Sequence, residues 1–249
     1  MIELKTKEDI EGIRKSGALL SSLFKMLDKN IKEGMSTYDV DKICYEFIKD
    51  NHAIASCLGY CGYPNATCIS VNDTVIHGIP SRKNILKDGD LVSVDITLDL
   101  DGYVSDSTHT YEIGNVSKEV HLLNEVTRKA LYNAIDAASV KGARLYDIAR
   151  AVESTVRPYH YGIVEDYCGH GVGFSIHEDP LVFNYVNTRY SNKKLREGLV
   201  IAIEPMINMG DKRIKVLDDG WTVKTVDASV ACHWEHTVAI TEDGLEIMT

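Results

Sequence analysis

Several segments of this chain carry carboxylates or imidazoles in settings that can do chemistry. Between Asp90 and Tyr111, Val92, Val94, Ile96 and Leu98 alternate with Ser93, Asp95, Thr97 and Asp99, which predicts a strand with one apolar face. Asp101-Gly102 signals a two-residue hairpin turn that pairs Leu100 with Tyr103 and sets Asp106 opposite Thr97. Thr97 and Asp95 share a face, so Asp95 and Asp106 become diagonal neighbours with Cβ atoms about 7 Å apart. Such a face is either a solvated polar surface or a place where two like charges are held by a cation or by taking up a proton.

The second half of the chain offers more such groups. His170 stands in the Gly-rich run Gly169-His170-Gly171-Val172-Gly173, where backbone can approach a ligand closely, although a lone histidine in a turn is more often structural. The run lacks the G-x-G-x-x-G spacing of a dinucleotide site. Leu199 to Met206 reads as an apolar strand with one carboxylate, Glu204, whose burial demands a paired charge or a metal. Cys232 to Ile240 is another β-like run and poses the same question for Glu235. His233-Trp234-Glu235-His236 has the wrong spacing for a helical H-E-x-x-H zinc motif, and no G-x-S-x-G or P-loop occurs, which excludes serine hydrolase and NTPase chemistry.

The elements that must position these groups come in two sets. Thr6 and Asp9 resemble a capping box, after which Ile10, Ile13, Leu20, Leu23, Phe24, Leu27 and Ile31 keep helical spacing until Gly34. A second helix is predicted from about Thr37 to Lys49. The stretch from Gly34 to Lys42, with Tyr38, Asp39 and Val40, matches Gly142 to Arg150, with Tyr146, Asp147 and Ile148, without a gap. Each copy follows a long amphipathic helix. The pattern predicts two related halves, each opening with a helix pair and continuing into strands, packed as one body because no Pro/Gly/Ser-rich linker separates them.

Composition narrows the function classes. The 249 residues include 27 Lys+Arg and 37 Asp+Glu, a formal net charge of −10, so a general nucleic-acid binder with a basic surface, DNA binding included, is not expected. A hydrophobic fraction of 44% with 26% charged residues is ordinary for a globular protein. The start of the chain has no apolar leader, and the longest aliphatic run, Leu199 to Ile203, is too short to span a bilayer, so the expectation is a cytoplasmic protein without a membrane. The six cysteines contain no C-x-x-C pair and are read as reduced thiols.

Taken together, the segments closely resemble the type I methionine aminopeptidases. The resemblance runs from about Ile10 to Thr249 and rests on Cys68 to Pro80 with His77, the Asp95 to Asp106 hairpin, Tyr167-Cys168-Gly169-His170, Ile203-Glu204-Pro205-Met206, Asp219 to Thr225 with Trp221, and Trp234-Glu235-His236-Thr237. It implies an α+β pita-bread fold of two pseudo-twofold halves around curved antiparallel sheets, one catalytic domain over 1–249 with halves of about 1–115 and 116–249. It also implies two divalent metal ions on Asp95, Asp106, His170, Glu204 and Glu235. Four carboxylates balance two divalent charges, and a set without thiolate suits Co, Mn, Fe or Zn.

The activity implied is metal-assisted hydrolysis that removes initiator methionine from nascent polypeptide N-termini when the second residue is small. By the same resemblance Glu204 accepts the water proton, His177 donates to the carbonyl oxygen and His77 contacts the scissile peptide. Cys57, Tyr60, Tyr63, Cys68 and Trp221 would form the methionine pocket, where sulfur and aromatic rings suit a thioether. Two residues depart from the pattern at this wall: Ile176 stands where an aromatic is expected, and Cys61 where many bacterial relatives carry histidine. The short spacing from His170 to His177 lacks the type II insertion, and a zinc-binding N-terminal extension is missing, which implies a minimal bacterial-type enzyme, usually a monomer. Lys212, Arg213, Lys215 and Lys224 lie close in sequence and could touch ribosomal RNA, with a solvated loop the favoured explanation. The rivals are an Xaa-Pro peptidase on the same scaffold and a non-catalytic pita-bread protein that binds chains or ribosomes. His109, on the hairpin's opposite face, has no role derivable from sequence.

Overall fold

Thr6 starts the first helix as its sequence predicts: its hydroxyl accepts the Asp9 N–H at 3.2 Å, and the Asp9 carboxylate accepts the Thr6 N–H at 2.9 Å. In the computed structural model, which describes residues 2–249, helix α1 (Lys7–Asn30) buries Ile10, Ile13, Leu20, Leu23, Phe24 and Leu27 along one stripe. Gly34, at φ +87°, turns the chain into α2 (Thr37–Asp50). The second half repeats this with α3 (Lys118–Ser139), Gly142 at φ +88° and α4 (Leu145–Val156). Asp39 accepts the Ser36 N–H at 2.9 Å, and Asp147 accepts the Arg144 N–H at 2.8 Å. Just before these caps, Met35 and Ala143 each accept one N–H, from Leu86 at 2.8 Å and Leu195 at 2.9 Å. The repeat seen in sequence therefore marks equivalent positions in three dimensions.

The strands Leu91–Leu100 and Tyr103–Glu112 form the predicted hairpin, with Leu100 opposite Tyr103 and Thr97 opposite Asp106. They belong to an antiparallel nine-stranded sheet. Its seam is Glu235–Thr241, which pairs with Tyr103–Glu112 on one side and with Val200–Ile203 on the other, so strands from both halves share one sheet. Gly169–Gly171 and Glu178–Val182 complete the far side.

Alternation decides what each face does. Val92, Val94, Ile96 and Leu98 pack in one core with Leu20, Leu23 and Phe24 of α1 and with Val40, Cys44 and Ile48 of α2. A fully buried side chain of this size contributes about 1.5–3 kcal/mol of transfer free energy. In a second core, residues of α3 and α4 meet Ile201, Ile203 and Val238. Helices thus cover one face of the sheet, and Asp95, Thr97 and Asp106 are left on the other.

Three local expectations need correction. His170 lies in the strand Gly169–Gly171 and not in a turn. Glu204 stands one residue beyond Val200–Ile203, because Pro205 has no N–H to continue the ladder. The run Cys232 to Ile240 is two strands, Ala231–His233 and Glu235–Thr241, interrupted at Trp234. The two breaks are coupled: Met206 pairs with His233 in a separate three-stranded sheet, while Ile203 pairs with His236 in the large one. Both chains change sheet together, which gathers Glu204, His233 and Glu235 at the crossing. Among the described residues, no helix is long and apolar enough to cross a membrane, and all six cysteines are free.

Candidate active site

A cavity of about 600 Å³ opens over the polar face of the sheet. Asp95, Asp106, His170, Glu204 and Glu235 all line it, together with His77, His177, Cys57, Tyr60, Tyr63, Cys68 and Trp221. Every site residue expected from the sequence therefore meets at one place. Of the two departures, Ile176 lines the cavity, whereas Cys61 is exposed outside it, so only Ile176 bears on the wall.

The acidic centre is tightly built. Asp106, His170 and Glu235 each offer an atom within 4.8 Å of the others. His170 Nε2 is 3.8 Å from Asp106 Oδ2 and 3.3 Å from Glu204 Oε1. Hydroxyls orient the carboxylates: Thr97 donates to Asp106 Oδ1 at 2.8 Å, and Thr108 donates to Glu235 Oε2 at 2.9 Å. Asn184 donates to the Glu204 carbonyl at 2.9 Å.

Burial dominates the electrostatics. It raises Asp106, Glu204 and Glu235 well above the usual carboxylate range, with Asp95 adding to Asp106, and Asp106 adding to Glu235. Desolvation also lifts Asp95 to about 6, with His233 opposing and Glu204 reinforcing the shift. The same burial lowers His170 to about 3, and His77 and His233 to about 4, so these rings are neutral at pH 7. Among the described residues, the ion-pair partners of Asp106 and Glu204 are histidines, with no lysine or arginine beside them.

The histidines and aromatics form the rest of the wall. Tyr60 hydroxyl lies 2.9 Å from His177 Nδ1, and the His177 ring meets His170 edge-on at 4.4 Å. His77 follows the strand Thr74–Ile76 at φ +56° and stands edge-on to Tyr167 and Trp221. Tyr63 packs on Trp221 at 5.1 Å and donates to the Gly78 carbonyl at 3.0 Å, bracing the turn that carries His77. Cys57 and Cys68 complete this side, Cys68 in register with Asp95 on the neighbouring strand.

The sequence model of metallopeptidase family M24 matches residues 11–242. The chain belongs to this family. Its sequence is 40% identical over 249 residues to the methionine aminopeptidase of Escherichia coli strain K12, covering 100% of this chain and 94% of that protein. It is 42% identical over 247 residues to the methionine aminopeptidase of Borreliella burgdorferi, covering 99% and 97%. The crystal structure of methionine aminopeptidase from Thermotoga maritima superposes with a TM-score of 0.95 at 40% identity, covering 100% of this chain and 99% of that one. The pita-bread architecture expected from the sequence is thereby established.

For an M24 metallopeptidase the donor set is apt. The His170 Nδ1 lies 2.8 Å from the Gly171 carbonyl, which can only accept, so Nδ1 carries the proton and Nε2 presents its lone pair to the cavity. Buried carboxylates without a cationic side chain are what divalent ions neutralise, and the residues present fit such a group. The sequence reading of this M24 chain missed His233, which lines the cavity beside Glu204. Its signal was there: two residues before Glu235 on a β-like run, it falls on the same side as that carboxylate.

Proposed function

We propose that this chain is a methionyl aminopeptidase of the cytoplasm, which removes the N-terminal methionine of nascent polypeptides when the second residue is small. The observation that carries the reading is the convergence of four carboxylates and His170 beside a pocket lined by sulfur and aromatic side chains. In this reading Asp95, Asp106, His170, Glu204 and Glu235 hold two divalent ions. When bound, such ions polarise the scissile carbonyl and acidify the attacking water.

The chain's own residues supply the remaining steps. Glu204 takes up the water proton, a role suited to a carboxyl whose burial raises its proton affinity. In this reading the Tyr60 hydroxyl, 2.9 Å from His177 Nδ1, donates a hydrogen bond to that nitrogen and so keeps the ring proton on Nε2. That N–H donates to the carbonyl oxygen as negative charge develops on it. His77 contacts the scissile peptide. Cys57, Tyr60, Tyr63, Cys68, Ile176 and Trp221 take the methionine side chain, and a bulky second residue is excluded by crowding at the acidic centre.

The same reading takes the 249 residues as one catalytic domain, with halves at about 1–115 and 116–249, acting as a monomer. A ribosome contact through Lys212, Arg213, Lys215 and Lys224 would compete with ion pairs already formed: Lys212–Glu165 at 2.7 Å, Arg213–Asp211 at 2.8 Å and Lys224–Asp73 at 2.8 Å.

The test is release of free methionine from Met-Ala-Ser and Met-Leu-Ser by metal-stripped protein, with Mn, Co, Fe(II) or Zn restored separately and Ala-Pro-Ala as control. Cleavage of Met-Ala-Ser alone, and only with metal, is expected. Failure to cut any peptide with any ion overturns the reading, and cleavage of Ala-Pro-Ala moves it to an Xaa-Pro enzyme.

A further inference from the structure

His233 belongs to neither the metal set nor the proposed substrate contacts, yet its position is closely determined. Its backbone N–H donates to Ser93 Oγ at 3.3 Å, its carbonyl accepts the Thr110 hydroxyl at 2.5 Å, and it pairs across strands with Met206. The residue is 3% exposed. Its Nε2 makes no hydrogen bond and stands 3.5 Å from Glu204 Oε2, while the other oxygen of Glu204 faces His170 Nε2 at 3.3 Å. Buried polar atoms are seldom left without a partner, so an orphan aimed at one oxygen of a reacting carboxylate marks a contact completed in the working enzyme.

We propose that His233 is a positioning residue for Glu204: its Nε2–H donates to Glu204 Oε2 and holds that carboxylate in place at the metal centre. This rests on the reading of Glu204 as proton acceptor and metal-site residue. The clamped backbone lets the ring hold the carboxylate without moving, while the second oxygen faces the lone pair of His170 Nε2 and is left free for the ion. A carboxylate anchored by a fixed donor keeps one orientation toward ion and water, whereas one without that donor can swing about its χ angles. The coupled strand breaks at Pro205 and Trp234 bring the two residues together.

The test compares wild type with His233→Gln, which keeps an N–H donor, and His233→Leu, which has similar bulk and none. Mn(II) binding is measured by titration calorimetry, and Met-Ala-Ser hydrolysis supplies kcat and KM. For His233→Leu, Mn(II) affinity and kcat are each expected to fall about 10–100-fold, with KM changed less than about threefold, whereas His233→Gln stays within about threefold of wild type in both. Wild-type kcat and Mn(II) affinity in His233→Leu overturn the proposal, as does a Gln variant as impaired as the Leu one. If His233→Leu loses its near-ultraviolet circular dichroism, His233→Met replaces it.

A measurement on unmutated protein stands beside these. In zinc-loaded, 15N-histidine-labelled wild type, the ring signal absent from His233→Gln is expected to show Nε2 protonated; a bare, metal-bound Nε2 overturns the donor role. Wild type that cleaves no peptide with any ion refutes the functional reading, while Mn(II) binding and the ring tautomer still judge His233.

Discussion

At the residue scale the proposed mechanism separates groups that bind from groups that act on the transition state. In the proposed mechanism His177 is the clearest of the second kind, because a hydrogen bond to a developing oxyanion counts for little in the ground state. Replacing it by alanine is expected to lower kcat on Met-Ala-Ser about 10²–10³-fold with KM little changed. Tyr60→Phe removes the hydroxyl 2.9 Å from Nδ1 and lets the ring adopt the wrong tautomer, so a smaller kcat loss is expected with the fold intact. Steady-state kinetics of both variants checks this; a KM effect alone in His177→Ala would make the ring a binding residue instead.

Elements hold these residues at an angle that side chains alone cannot. The segment Phe174 to Glu178, which carries His177, is closed by Glu178, whose Oε1 accepts the N–H groups of Phe174 and Ser175 at 2.7 and 3.0 Å. Its other oxygen pairs with Lys5, whose side chain is 1% exposed and whose backbone N–H donates to Gly198. The N-terminal segment is thus tied to the loop that carries His177. Lys5→Met leaves Glu178 without its cation and is expected to cost about 3 kcal/mol in denaturant unfolding, with most of it restored by adding Glu178→Gln.

The seat of α1 on the hairpin supplies a pH dependence. His109 stacks on Phe24 at 3.9 Å, which gives it the packing role that the sequence did not reveal. Burial lowers its pKa from 6.5 to about 4, with Arg128 adding to the shift. The folded state therefore binds fewer protons than the unfolded state between those values. Stability from this group is present above pH 6.5 and is lost as pH falls toward 4, by up to about 3 kcal/mol. His109→Phe, which keeps the stack, is expected to flatten the fall in Tm between pH 7 and 4.5, and an unchanged slope would assign the loss to other groups.

Across the whole molecule, the acidic centre joins distant stretches of chain. Asp95 and Asp106 come from the first hairpin, His170 from Gly169–Gly171, Glu204 from the end of Val200–Ile203, and Glu235 from the start of the seam strand. An ion bound there ties both halves of the sheet in the folded state and has no equivalent site in the unfolded chain. At 100 times its Kd, such an ion adds about 2.7 kcal/mol and raises Tm by about 5–10 °C for a chain of this length. Scanning calorimetry of stripped protein with and without Mn(II) measures this, and a Tm indifferent to the ion would count against a cation at the carboxylates.

The sequence by itself determined what is local and periodic. The Thr6 cap and the hairpin register from Asp101-Gly102 are read from neighbours a few positions apart, where turn and capping chemistry act, and the nine-residue repeat from matching residue types in order. Glu204 and Glu235 stood out because isolated carboxylates in apolar runs need a partner. Only the tertiary structure decided who that partner is. The crossing where two strands leave one sheet for another depends on pairing between residues 203–206 and 233–236, which no local signal encodes. The same holds for which carboxylates His233 and Lys5 meet, Glu204 and Glu178, because burial and proximity across distant segments exist only once the sheet has closed.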